Sequence, residues 1–149
     1  MNEPDLPDYI DGNGRRHGAE LIYRVVDYRM PSDTSIGVFD RDEPENVGSA
    51  IDRRNARYLG FVDSRVASAK WDFRRLSAND YKSVRDALDG CVVVLGAGAV
   101  STHHGYDTLY VRQCLTEFRL KWVSLSEEWQ GMEPLIATLR DLRKRTFQV

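Results

Sequence analysis

With 149 residues, 42% hydrophobic and 30% charged, the chain is long enough to bury a substantial core as one domain and too apolar for wholesale disorder. Its 21 basic and 23 acidic residues nearly cancel, leaving a formal net charge of -2, which argues against an overall basic footprint for nucleic acid and against a strong acidic field. Two cysteines, Cys91 and Cys114, are too few for a disulfide framework and read as buried free thiols in apolar, strand-like runs. No apolar run approaches the length needed to span a bilayer, and the start MNEPDLPDYIDG lacks the basic opening and apolar centre of a signal peptide, so a cytoplasmic location is expected.

Residues 1–18 carry Pro4, Pro7, Gly12, Gly14 and Gly18 and read as a flexible leader to a single domain over 19–149. Leu21 to Met30 is rich in β-branched and aromatic residues and predicts a strand. Pro31-Ser32-Asp33 is a turn signal, and Ile36 to Asp40 a second short strand. The segment from Arg41 to Asn55 is charged and broken by Pro44 and Gly48; it predicts a loop, with room for a short helix near Ser49 to Asn55. Arg57 to Val66 and Trp71 to Leu76 continue in strand-like alternation.

A helix is predicted over 77–89. Ser77 stands as N-cap, Asp80 follows three residues on, Tyr81, Val84 and Leu88 fall at helical spacing, and Gly90 closes the last turn. CVVVL is read as a strand. TLYVRQCL and TEFRLKWVSL then predict a β-hairpin turning near Leu115-Thr116. The last element is a helix over 132–145 with Pro134 in its first turn, an apolar stripe of Leu135, Ile136, Leu139 and Leu142, and basic residues toward its negative end. The late strands lie too close together for parallel crossovers, so the expected fold is α+β: a mostly antiparallel sheet with both helices packed on one face.

Three segments carry candidate chemistry. Gly96 to Ser101 resembles a phosphate loop, but no helix follows to present its N-terminal amides, Ser101 replaces the third glycine of a dinucleotide fingerprint, and the Gly-Lys-Ser/Thr ending of a P-loop is missing. The plain reading is a strand with a glycine bend and a connection at His103 to Asp107. The ligand-site alternative is a small nucleotide- or metal-binding enzyme using Gly96, Gly98, Ser101, His103 and His104. The paired cysteine spacings of a zinc site are absent, no nucleophile can be placed beside the histidines, and neither cofactor nor metal is expected. The acidic run Asp40, Asp42, Glu43 and Glu45 lacks the fixed spacing of a calcium loop.

The hairpin is the third segment. Period-two alternation puts Tyr110, Arg112, Arg119 and Lys121 on one face, a composition suited to meeting an acidic protein and less suited to a nucleic acid strand. Candidate partner contacts are therefore Tyr110, Arg112, Arg119 and Lys121, or the acidic residues Asp40, Asp42 and Glu43. Self-assembly through an exposed edge strand is a further alternative.

From Asp107 onward the chain resembles a recurrent ending of small bacterial α+β proteins: a hairpin with a late tryptophan, Trp122, a polar link, then Gly131, Glu133, Pro134 and Leu135 opening an amphipathic helix. The likeness covers about a quarter of the chain, and its motif marks a strand-to-helix joint. Such proteins include immunity proteins that inhibit toxins. The resemblance implies a non-catalytic binding module of that kind, with a toxin or effector as partner, and carries over no functional residue.

Overall fold

The computed structural model describes residues 8–10, 16–41, 56–66, 68–92, 105–113, 116–122 and 131–148. Its strands are β1 (Asp8–Ile10), β2 (Arg16–Asp27), β3 (Ser32–Arg41), β4 (Arg57–Asp63), β5 (Asp72–Arg75), β6 (Gly105–Gln113) and β7 (Thr116–Trp122). Its helices are α1 (Ala78–Asp89) and α2 (Glu133–Phe147). The strands form one sheet in the order β5-β4-β3-β2-β6-β7, antiparallel throughout; β1 pairs with the first residues of β2, beside the stretch that pairs with β6. This is the expected α+β architecture. No helix among the described residues is long and apolar enough to cross a membrane.

One face of the sheet carries the main core. Leu21, Tyr23, Ile36, Val38, Leu59, Leu109, Val111 and Trp122 pack against Val84 and Leu88 of α1 and Leu135, Ile136, Leu139 and Leu142 of α2. The helical stripes read from sequence are thus the buried ones, and both helices lie on the same side. Ser77 caps α1 through its hydroxyl, which accepts from the Asp80 amide at 3.1 Å. Gly90 ends the helix with φ -85°, a value open to any residue, so its left-handed freedom is not used there. Pro134 stands in the first turn of α2, and Lys144 and Arg145 in its last.

The outer face has a smaller cluster of Ala19, Ile22, Phe39 and Tyr110, with Trp71 and Phe73 packed against it. Gly37 and Gly60 lie opposite each other on β3 and β4. A Cβ on Gly60 would meet the Phe39 ring at 2.8 Å, and one on Gly37 would meet the Leu21 carbonyl at 2.5 Å. The paired glycines leave the depression into which Phe39 folds. Trp71 and Phe73 meet the Phe39 ring edge-on, with centroids 4.9 and 5.1 Å away.

Several boundaries differ from the sequence reading. β2 begins at Arg16 and β1 pairs with it, so residues expected in the leader enter the sheet. β3 runs from Ser32 to Arg41, so Ser32 and Asp33, read as part of the turn, open the strand, and Asp40 lies within it as the strand predicted over Ile36 to Asp40 has it. Cys91 does not open a strand: its amide bonds to Leu88 O, because the helix exit takes up that backbone donor. β6 starts at Gly105, inside the expected connection, where φ is +119° and the Val26 carbonyl leaves no room for a side chain. The short helix near 49–55, residues 93–104, Asp42, Glu43 and Cys114 lie outside the described residues.

Candidate functional site

The outer face of β6 and β7 is built by the hairpin register. Tyr110 lies opposite Arg119, Thr108 opposite Lys121 and Arg112 opposite Glu117, so the pleat puts all six on the same side, away from the helices. The four residues Tyr110, Arg112, Arg119 and Lys121 chosen from the alternation are therefore brought together. β2 supplies the adjoining strip, since Ile22 lies opposite Tyr110 and Arg24 opposite Thr108. Ile22 and Arg24 of β2 with Tyr106, Thr108, Tyr110, Arg119 and Lys121 of the hairpin line an open groove of about 280 Å³.

The tyrosines are structural parts of this surface as well as its lining. Tyr110 is only 6% exposed, contrary to the solvated position expected for it, because it packs into the Phe39 cluster. Its hydroxyl donates to Glu117 Oε2 at 2.8 Å. The Arg119 guanidinium lies over the Tyr110 ring, 5.2 Å from its centroid, and Lys121 Nζ lies 4.0 Å from the centroid of Tyr106. Arg24 holds Asp33 with two bonds, at 2.9 and 2.8 Å, so its charge is met within the fold. Arg119 and Lys121 differ: among the described residues neither has a carboxylate within salt-bridge distance.

Two further ionisable groups sit on the helix side. A bulge at Glu20 interrupts the β2–β3 register between Ala19 and Leu21. The extra residue turns its carboxylate toward Arg57, which also faces Asp40, and Glu20 Oε2 accepts from the Tyr81 hydroxyl of α1 at 2.8 Å. Burial works against the Arg57 charge, but Glu20, Asp40 and Tyr81 outweigh it and raise the Arg57 pKa. Asp40, offered as a partner contact, is exposed and lies 3.7 Å from Arg57.

The second group is Tyr23 with Asp107. Tyr23 stacks against Trp122 with centroids 6.3 Å apart and donates to Asp107 Oδ2 at 2.6 Å. Burial, then the Asp107 charge and its hydrogen bond, push the Tyr23 hydroxyl well above its ordinary range, with Arg140 opposing. Burial also raises Asp107, against the Tyr23 bond and Arg140. Cys91, half-buried at the end of α1, has its thiol pushed up by burial, which makes it a weaker nucleophile.

Gly96, Gly98, Ser101, His103 and His104 lie outside the described residues. Among the described residues no three His, Cys, Asp or Glu side chains converge on a point that could hold a metal ion. Thr108 was legible as a groove residue, because it shares the parity of Tyr110. Tyr106 lay in the expected connection at His103 to Asp107, and the place of Ile22 and Arg24 depends on β2 lying beside β6. No protein-family model matches this chain, and no curated protein or solved structure is significantly similar to it.

Proposed function

We propose that this protein is a non-catalytic binding module that captures an acidic surface of another protein on the outer face of β6 and β7. An immunity-type inhibitor, held against a toxin or effector, is the concrete form of this reading. One observation carries it. Arg119 and Lys121 are fixed over tyrosine rings with no carboxylate in reach among the described residues, whereas Arg24, Arg57, Arg74 and Arg145 each have one. Cations ordered in this way, beside a partly apolar groove, are met by opposite charge from outside, which supplies on-rate and specificity.

The test is capture of a partner from native-host lysate by the wild-type protein and by the Arg119→Glu/Lys121→Glu variant. The expected result is one stoichiometric partner with an acidic surface, released as salt is raised and lost with the variant. Equal capture by both proteins would remove this face from the function.

A further inference from the structure

This inference rests on the binding role proposed for the β6–β7 face and adds how the partner is held. β7 ends the sheet, and among the described residues it pairs with β6 alone. Thr116, Glu117, Phe118 and Arg119 are all exposed although successive residues point to opposite faces, so neither side of the strand is covered along this stretch.

The register settles which main-chain groups face away from β6. Gln113 pairs with Thr116 across the hairpin. A bridge between residues so close in the chain can only be a directly hydrogen-bonded pair, since the other kind would need a bond between adjacent residues. Alternation along the ladder then bonds Phe118 to Val111 and Leu120 to Leu109, and it turns the amides and carbonyls of Glu117, Arg119 and Lys121 away from β6 to the free edge. The side chains of these same three residues stand on the outer face. On the inner face Phe118, 42% exposed, and Leu120 border a second groove of about 240 Å³ with Cys91 and Met132. One edge strand thus separates a basic and aromatic groove from an apolar one.

The geometry points to strand addition: β7 takes up an extended segment of a partner protein in which acidic and apolar residues alternate. Its main chain pairs with Glu117, Arg119 and Lys121, its acids lie toward the two cations, and its apolar residues lie toward Phe118 and Leu120. A second copy of β7 fits less well. Each copy brings Arg119 and Lys121 against one Glu117, which Tyr110 already engages, so pairing two copies doubles the net positive charge of the joint.

The experiment is amide hydrogen exchange by NMR with a blocked synthetic peptide alternating Glu and Val, about as long as β7, with a Lys-Val peptide as control. At millimolar peptide the amides of Glu117, Arg119 and Lys121 should slow by about tenfold or more, those of Phe118 and Leu120 should change little, and the Lys-Val peptide should do nothing. Arg119→Ala keeps the outward amide, while Arg119→Pro removes it without touching the β6 ladder. Protection of Glu117 and Lys121 should weaken with the alanine, which removes one of the two cations, and be lost altogether with the proline, with the inner-ladder amides of both variants still protected. Equal behaviour of the two variants, peptide binding without slowing of the three amides, or no effect at millimolar peptide would each overturn strand addition. Protection that rises with protein concentration alone would assign the edge to a second copy and overturn it as well. Loss of lysate capture on charge reversal, with no amide protection, would leave the binding role standing and remove only this inference.

Discussion

The Tyr23 hydroxyl of β2 donates to Asp107 of β6 at 2.6 Å, joining residues 84 positions apart on the face that the helices cover. Tyr23→Phe keeps the ring against Trp122 but leaves a half-buried carboxylate without its donor. The expected cost is about 1–3 kcal/mol in denaturant unfolding. The variant should also change the alkaline limb. Because the folded-state pKa of Tyr23 lies above the unfolded value, its contribution is complete below about pH 10 and is lost as pH rises beyond that toward the folded value. Stability against pH should therefore fall less steeply above pH 10 in Tyr23→Phe than in wild type. A parallel fall in the two proteins would refute this.

Glu20 and Arg57 should be coupled. Each is partly exposed, so the pair is worth less than a fully buried one, but each also holds a third group, Tyr81 or Asp40. A double-mutant cycle with Glu20→Gln and Arg57→Met should return a coupling of about 0.5–2 kcal/mol. Additive losses would mean that the bulge places Glu20 without gaining from the ion pair.

The paired glycines should be unequal. Gly37→Ala drives a Cβ into the Leu21 carbonyl, which belongs to the adjacent ladder and cannot swing away. Gly60→Ala meets ring atoms of Phe39 and Phe73, which can shift. Both substitutions should destabilise by about 1–3 kcal/mol, with Gly37→Ala the more costly. Thermal melts in which Gly60→Ala proved the worse variant would contradict this account of the depression.

Arg119→Ala should be nearly neutral for the fold. Its loss is a cation–π contact at an exposed site, worth about 0.5–1 kcal/mol. A melting temperature close to wild type is the expected result, and it is what makes binding losses in Arg119 variants interpretable. A large drop would show that this side chain chiefly holds Tyr110 in place.

Much of the fold was legible because the signals were local. The cap at Ser77, the stripe of Leu135, Ile136, Leu139 and Leu142, and the alternation through Tyr110 and Lys121 each depend only on a helical or two-residue period, and the close spacing of the late strands excluded parallel crossovers. The boundaries that moved were set by neighbours. Gly105 reads as part of a connection until the Val26 carbonyl is seen against it, and Cys91 reads as strand until its amide is seen taken up by the helix exit.

The candidate face divides in the same way. Period-two alternation in the sequence by itself determined that Tyr110, Arg112, Arg119 and Lys121 share a side, because a strand cannot arrange them otherwise. Only the tertiary structure decided what surrounds them. Strand order brought Ile22 and Arg24 beside β6, Phe39 and its neighbours buried Tyr110, Asp33 took the charge of Arg24, and β7 came to lie at the edge of the described sheet with alternate amides facing away from β6. Those outcomes follow from pairings between segments far apart in the chain, whose free energy comes from packing and opposite charge across strands rather than from any property of one strand alone.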